Sequence, residues 1–186
     1  MPVWVWRCDK VKNKLKMKHK LGIFYSFLVR TFLFFLPDAP VIMRFRGWLY
    51  SLFMRQCGKN FQVAHSAVLN GLDDLIVGDN VYIANFCSFI SNGLIIIEND
   101  VLFGPSVVVS AGNHQFNGHD YKSLSSEKQD VRIGSGSWIA ANVSIVGGAI
   151  IPQQSVVAAN SCVTRSLEQG EHCLYGGVPA RKIKQL

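Results

Sequence analysis

Beyond residue 60, a large apolar side chain recurs at every sixth position, usually followed by a small or turn-forming residue. The longest unbroken series comprises Ile133, Ile139, Ile145, Ile151, Val157 and Val163. Shorter series with the same spacing comprise Val63 and Leu69; Val77, Ile83 and Phe89; and Ile97, Phe103 and Val109. A spacing of six drifts around a helix of ~3.6 residues per turn, and plain β-hairpins do not keep it. The pattern therefore indicates an internal repeat.

A repeat of six is explained by a coil with three sides, each made of one short strand and one tight corner. Three repeats make one coil of about 18 residues, whose apolar side chains point inward and stack on those of neighbouring coils. One coil cannot bury its core alone, so several must stack. We predict a mainly β fold, a parallel β-helix of about five coils that start near residues 63, 77, 97, 133 and 151. A polar stretch, residues 115–132, interrupts the repeat and is predicted to be a loop insertion.

The first 59 residues do not follow the repeat, and we predict a basic, amphipathic, helical extension that precedes a β-helix domain of residues 60–186. Two apolar segments, Leu21–Leu36 and Val41–Gln56, contain arginines and resemble amphipathic helices. The first is shorter than the ~20 apolar residues that a membrane span requires. Because the basic stretch Lys10–Lys20 precedes it, two alternatives stay open: packing on the domain, or peripheral contact with an anionic membrane surface.

Charge and cysteine content narrow the classes of function. Residues 1–59 hold twelve Lys or Arg and two acidic residues, whereas residues 60–186 hold seven Lys or Arg and ten acidic residues. The net basic charge therefore belongs to the extension. A slightly acidic main domain argues against nucleic-acid binding. The five cysteines are odd in number and form no CxxC pair, which favours reduced thiols in a cytoplasmic protein.

Three segments resemble the hexapeptide-repeat acyltransferases, in particular the galactoside, maltose and related sugar and surface-polysaccharide O-acetyltransferases. They are VYIANFCSFISNGLIIIENDVLFGPSVVVSAGNHQF (81–116), WIAANVSIVGGAIIPQQSVVAANSCVTRSL (138–167) and YGGVPARKIKQL (175–186). The resemblance implies a left-handed parallel β-helix, a homotrimer with its sites between subunits, acetyl-CoA as acyl donor, a carbohydrate acceptor and no metal. Together with the N-terminus, it suggests capsule, lipopolysaccharide or exopolysaccharide biosynthesis at the inner face of the cytoplasmic membrane.

His114 is the predicted catalytic base. It lies at the end of a repeat face, where the polar loop begins, and histidine is the residue type best suited to remove a proton near neutral pH. The resemblance assigns the base to this position and an acceptor-binding asparagine to Asn85. Asn92 stands where the family often has an aspartate, which leaves the acceptor's identity open. His119 and Tyr121 in the loop are further candidates for acceptor contact.

The resemblance also implies a cofactor site. Trp138, Ala140 and Ala141 match the family's pattern, and small residues there let the pantetheine arm lie along the edge of the coil. Ala158 and Ala159 repeat this arrangement one coil later. The predicted contacts with the phosphate end of coenzyme A are Thr164, Arg165, Arg181 and Lys184.

Alternative functions remain open at this stage. One is N-acetylation of an amino sugar, or transfer of another acyl group, on the same fold. A β-helix carbonic anhydrase needs three zinc-binding histidines; His114 and His119 are five apart, but no histidine lies between His65 and His114. A non-catalytic scaffold does not account for the residue patterns around His114, Trp138 and Arg181.

Overall fold

The computed structural model describes residues 3–123, 127–170 and 172–186, with side chains from residue 17 onward. Two helices, α1 (Val3–Leu33) and α2 (Pro40–Ser51), precede a β-helix. The side chains of Cys8 and of the lysines before residue 17 in the predicted basic stretch lie outside the described residues. Within the described part, no helix has the length and apolar character needed to cross a bilayer.

Five complete coils follow the helices, each with three strands. Coil 1 has β1 (Gln56–Cys57), β2 (Gln62–Val63) and β3 (Val68–Asn70); coil 2 has β4 (Leu75–Val77), β5 (Tyr82–Ile83) and β6 (Ser88–Ser91). Coil 3 has β7 (Ile95–Ile97), β8 (Leu102–Phe103) and β9 (Val108–Ala111); coil 4 has β10 (Val131–Ile133), β11 (Trp138–Ile139) and β12 (Ser144–Ile145). Coil 5 has β13 (Ile150–Ile151), β14 (Val156–Val157) and β15 (Cys162–Val163); β16 (Cys173–Gly176) begins a sixth turn and β17 (Arg181–Gln185) ends it.

The strands form three sheets along the three sides of the coil. Sheet A contains β1, β4, β7, β10 and β13; sheet B contains β2, β5, β8, β11, β14, β16 and β17; sheet C contains β3, β6, β9, β12 and β15. Every pair of neighbouring strands is parallel except β16 and β17, which are antiparallel. The predicted parallel β-helix is therefore confirmed. Below, the A–B, B–C and C–A corners are the turns that join consecutive strands of the named sheets.

The residues at the six-residue repeat positions form the core of the β-helix. Every repeat residue named in the sequence analysis exposes at most 1% of its surface. Coil 1 was predicted to start near residue 63, in β2, but it starts one strand earlier. Cys57 fills the repeat position of that strand, β1. Cys57 pairs in register with Val77, one coil further on, but a cysteine does not stand out as a repeat residue.

The two helices pack on the first coil. Helix α2 begins with Pro40 in its first turn, where a missing N–H costs nothing, and directs Met43, Gly47 and Tyr50 inward. A Cβ atom on Gly47 would lie 2.0 Å from the Phe61 carbonyl oxygen, so this helix passes against the coil where only glycine is accommodated. In α1, Ser26 is buried and donates a hydrogen bond to the Leu69 carbonyl at 2.6 Å.

Arg46 joins these parts through one buried guanidinium group. Its side chain is fully buried and donates hydrogen bonds to the carbonyls of Leu33, Leu36 and Val63. It also donates to the Asp38 carboxylate at 3.0 Å. The end of α1, the linker, α2 and coil 1 therefore meet at a single side chain.

Candidate functional site

The B–C corner stacks equivalent residues of successive coils into one column, which we call the B–C column: His65, Asn85, Pro105, Ala141 and Ala159. Each follows a small residue whose N–H donates to the next coil: Ala64 to Ile83 at 2.9 Å, Ala84 to Phe103 at 3.2 Å, Gly104 to Ile139 at 2.7 Å, Ala140 to Val157 at 3.0 Å and Ala158 to Tyr175 at 2.8 Å. Adjacent coils are ~4.8 Å apart. The predicted acceptor residue Asn85 and the four predicted cofactor alanines therefore lie along one edge.

Trp138 lies beside this edge. It is in β11 of sheet B, two residues before Ala140, and its ring is 49% exposed. Ala140 is buried and Ala159 is exposed. Small side chains along the column leave the coil edge open beside an exposed indole, a surface on which an elongated ligand can lie.

Asn92 lies at a different edge, the C–A corner, and the chain that leads to His114 leaves the β-helix at the same edge. Strands β6 and β9 are in register there, with Ser91 opposite Ala111. A Cβ atom on Gly112 would lie 2.9 Å from the Asn92 Cβ atom, so the chain that leads to His114 passes directly over Asn92. His114 itself is exposed.

At the neck of the loop, where its two ends meet, the backbone of Asn113, the residue before His114, is paired across the loop. Asn113 and Glu127 exchange two backbone hydrogen bonds, of 3.0 and 2.8 Å, across the loop. The Asn113 side chain also donates to the Gln129 side chain at 2.6 Å. His114 therefore leaves the scaffold from a point that is fixed on both sides.

One chain does not bring Asn85 and His114 together, because they lie at opposite edges of sheet C. The strands of that sheet are up to four residues long, which separates the two edges by roughly 13 Å. Residues from two such edges can meet only if separate chains contribute them.

Within the loop, His119 and Tyr121 flank a turn that Asp120 organises. Hydrogen bonds donated by the backbone and side chain of Ser123, and by the Lys122 backbone, hold the pKa of Asp120 below its usual range. Tyr121 packs against Phe116 with ring centroids 5.1 Å apart. Asp120 therefore shapes the loop, while the exposed rings of His119 and Tyr121 face solvent.

Two of the predicted phosphate-binding residues share one cavity. Arg165, after β15, and Arg181, at the start of β17, both line a space of about 370 Å³. Lys182 also lines it and was missed, because the family pattern drew attention to Lys184 instead. Thr164 and Lys184 are exposed nearby in sequence but do not belong to this lining.

Two other kinds of chemistry, a cysteine nucleophile and a metal centre at the loop histidines, find little support in the described residues. Burial raises the pKa of the Cys57 and Cys87 thiols to about 11, so neither is a ready thiolate nucleophile. Within the described residues, one group of potential metal ligands lies together, His19 with Asp73 and Asp74, and it does not include His114 or His119. His19 and Asp73 are already bonded to each other at 2.9 Å.

His65 has a partner that no sequence motif indicated. The Nδ1 atom of His65 lies 2.8 Å from Asp38 Oδ2, and its backbone N–H donates to Asp38 Oδ1 at 2.8 Å. Asp38 lies 27 residues upstream, in the linker between the helices, where no repeat or motif pointed to it. The one usable signal was the alignment of His65 with Asn85, Ala141 and Ala159 at equivalent repeat positions.

Comparison with known proteins finds acetyltransferases among the relatives of this chain. No family model matches the chain. The Escherichia coli protein named "Putative lipopolysaccharide biosynthesis O-acetyl transferase WbbJ" is 30% identical over 139 residues, which cover 69% of this chain and 70% of the relative. The galactoside O-acetyltransferase of Escherichia coli is 28% identical over 130 residues, covering 69% of this chain. The match spans 63% of that enzyme and 65% of another relative, slightly less than two thirds of their lengths.

The fold also matches solved structures. A hexapeptide-repeat acetyltransferase of Vibrio cholerae, complexed with acetyl coenzyme A, superposes with a TM-score of 0.76 at 22% identity, covering 90% of this chain and 88% of that one. This likeness concerns the fold, and it confirms the left-handed β-helix. Taken with the relative that is 30% identical over most of both chains, it means that the chain belongs to the hexapeptide-repeat acetyltransferase family.

Proposed function

We propose that this protein is an acetyl-CoA-dependent O-acetyltransferase that acts on a carbohydrate hydroxyl group. The observation that carries the proposal is the B–C column. It runs from the closing segment, defined as residues 172–186, where the Ala158 N–H donates to the Tyr175 carbonyl, past Ala141 to Asn85. Three coil steps separate Ala159 from Asn85, or about 14 Å. In this proposal the pantetheine arm lies along the alanines, and its phosphate end meets Arg165 and Arg181.

The proposed chemistry is direct transfer. The acceptor hydroxyl oxygen attacks the thioester carbonyl carbon while His114 Nε2 or Nδ1 removes the hydroxyl proton. The tetrahedral intermediate collapses with cleavage of the carbon–sulfur bond, and the proton passes from His114 to the departing sulfur. The products are an acetyl ester and a free coenzyme A thiol. No covalent enzyme intermediate is needed, in keeping with the raised thiol pKa values of Cys57 and Cys87.

The same proposal requires a second chain at each site. Asn85 and the alanine column lie on one edge of sheet C, and His114 with Asn92 lies on the other. A cyclic homotrimer joins the two edges of adjacent subunits three times with one kind of interface. We therefore propose three equivalent sites, each with the B–C column of one subunit and His114 of the next, placed in the cytoplasm, where acetyl-CoA is available.

The test is an acceptor screen. We expect the protein to release coenzyme A thiol from acetyl-CoA only when a suitable sugar is present, and to add one acetyl group to that sugar. The panel contains free, nucleotide-linked, lipid-linked and polymeric sugars, including amino sugars. Mild alkali removes an acetyl ester but not an amide, so it separates O-acetylation from N-acetylation. Thiol release that is independent of every acceptor contradicts the proposal.

The matched variants for this screen lie in the shared cavity. Replacing Arg165 and Arg181 by alanine is expected to raise the apparent KM for acetyl-CoA more than that for the acceptor, with a smaller fall in kcat, because phosphate contacts stabilise ground and transition states alike. Lys59→Ala, at the opposite end of the β-helix, is the control. A change confined to the acceptor KM means that this cavity does not bind the cofactor.

The outer face of α1 supports a second element of the proposal, peripheral contact with an anionic membrane. Its inner face packs on the protein through Ser26 and Val29. Its outer face nevertheless exposes Met17, Leu21, Phe24, Phe27 and Phe32, each by more than half of its surface. Exposed Lys18 and Lys20 accompany them. Apolar side chains bordered by cations match the interface of an anionic bilayer.

We expect the full-length protein to co-sediment with vesicles that contain anionic lipid and much less with neutral vesicles. Changing Leu21, Phe24 and Phe27 together to serine should remove most of this binding, because these side chains supply the apolar contact. Phe116→Ser, which changes an equally exposed aromatic residue in the loop, is the control. If the triple variant still binds but loses its oligomeric state, the α1 face contacts another copy of the chain instead.

A further inference from the structure

A cavity of about 450 Å³ lies where the end of α1 meets the first two B–C corners. Its lining comprises Arg30, Thr31, Phe34, Phe35, Ser66 and Phe86. Ser66 and Phe86 directly follow His65 and Asn85, so this cavity opens at the end of the B–C column, beyond Asn85. The site described above leaves the cavity and His65 without a role.

Asp38 fixes the His65 ring and its proton. Burial alone would raise the pKa of Asp38, but hydrogen bonds from the His65 ring and backbone hold it below its ordinary value. An ionised carboxylate only accepts hydrogen bonds, so the neutral imidazole must carry its proton on Nδ1. Its Nε2 atom then presents a lone pair. The Phe34 and His65 rings pack edge to face, with centroids 5.2 Å apart.

The neighbouring amide is already engaged. The Asn85 Oδ1 atom accepts a hydrogen bond from the Ser66 hydroxyl at 2.7 Å, and that hydroxyl also accepts the Phe86 N–H at 3.0 Å. The His65 side chain is 31% exposed, and among the described residues its Nε2 atom has no hydrogen-bond partner. This atom is the acceptor that the network leaves available to a ligand.

His65 itself does not line the cavity, but Phe34, which packs against its ring, and Ser66, which follows it, both do. The cavity walls therefore indicate what kind of ligand could lie nearest to that atom. Phe86 has φ +62°, a left-handed conformation that is unfavourable for a bulky residue, and its ring is 68% exposed. Phe35 is 90% exposed on the other side of the lining. Aromatic faces next to hydrogen-bonding groups match a carbohydrate ring, which has an apolar C–H face and a rim of hydroxyl groups.

We propose that His65 is an acceptor-binding residue, whose Nε2 atom accepts a hydrogen bond from a second hydroxyl group of the carbohydrate while the sugar ring lies against Phe86. Asp38 is a positioning residue that acts through His65. The proposal rests on the proposed acetyl transfer for its consequence, but the state of the His65 ring does not depend on any activity.

The first experiment is nitrogen-15 NMR of the full-length protein with labelled histidine, recorded at a pH where imidazoles are neutral. The wild type should show His65 protonated on Nδ1 with a bare Nε2. In Asp38→Asn, the amide donates to Nδ1, and the proton should move to Nε2. A wild-type His65 that carries its proton on Nε2 overturns the proposal, whatever the activity screen shows.

The second experiment uses the sugar identified in the screen. His65→Ala should raise the apparent acceptor KM by about 10-fold, the effect of one hydrogen bond, with the KM for acetyl-CoA within 2-fold. His65→Gln, whose amide oxygen can accept the same bond, should recover part of the loss, and Asp38→Asn should resemble His65→Ala. An acceptor that lacks the contacted hydroxyl should bind equally to wild type and His65→Ala.

The control is His172→Ala, which changes an exposed histidine in the closing segment. Melting curves of each variant ensure that a folded protein is compared. An unchanged acceptor KM in folded His65→Ala overturns the proposal even when the wild type transfers acetyl groups. If the wild type acetylates no acceptor, the proposed function fails, and the ring state is still decided by NMR.

Discussion

Replacing His114 by alanine should lower kcat at least about 100-fold, the largest effect on activity that we expect from any single substitution. A sugar hydroxyl is too weak an acid to attack a thioester unaided at neutral pH, and a positioned base contributes about 10²–10⁴-fold. The variant should still assemble and bind acetyl-CoA, because His114 is exposed and belongs to neither the core nor the alanine column. Steady-state kinetics with the acceptor from the screen, together with a binding assay for acetyl-CoA, measure both parts.

His119→Ala is the matched control, since it removes an exposed imidazole five residues further along the same loop. It should cost clearly less activity. The two histidines differ in their support: the Asn113–Glu127 pairing fixes the chain beside His114, whereas His119 is in a turn at the outer part of the loop. A His114→Ala variant within a few-fold of the wild type contradicts base catalysis at this position, and an inactive His119→Ala assigns the role to the other histidine.

Arg46→Ala should lower the free energy of unfolding by about 3–5 kcal/mol, which corresponds to a fall in Tm of about 6–20 °C for a chain of this size. The change removes a fully buried cation from Asp38 and leaves the carbonyls of Leu33, Leu36 and Val63 without their donor. Breaking one partner of a buried pair is costly, because the remaining polar groups stay in the protein without compensation. Thermal and urea unfolding of the full-length protein give the difference.

Arg44→Ala serves as the control for Arg46, because it lies on the exposed side of the same helix and should change stability by no more than about 0.5 kcal/mol. A fall in pH tests the hydrogen bonds that His65 donates to Asp38. Asp38 has a lowered pKa in the folded protein, so its contribution is present above the pKa of an unfolded aspartate and is lost as the pH falls through the folded value. Asp38→Asn should therefore be less sensitive to acid than the wild type. Equal stability of Arg46→Ala and Arg44→Ala would refute the stabilising role of the buried Arg46 guanidinium group.

The period of six predicted the fold well because one physical requirement, a narrow and continuous apolar interior, acts on every repeat. The same requirement hid the start of coil 1, since Cys57 meets it without being aliphatic. His114, Arg165 and Arg181 could be proposed from the sequence because they stand next to motifs with a family resemblance. Asp38 could not, because its effect on His65 arises from a contact across 27 residues between a linker and a corner. Distances between edges, such as that between Asn85 and His114, follow only from the lengths of the strands that the structure shows.

The closing segment determines how the stack of β-helix coils ends. Nothing in a six-residue repeat limits the number of coils, and the last strands of an open solenoid offer unpaired backbone to any other chain. Here each sheet meets a different stop: Leu167 donates to Ile150 beyond β13, Ala180 donates to Cys162 beyond β15, and β17 reverses direction along β16. Residues outside the repeat thus cap sheets A and C, and the antiparallel, basic strand β17 forms the edge of sheet B, an arrangement that disfavours end-to-end polymerisation into fibres.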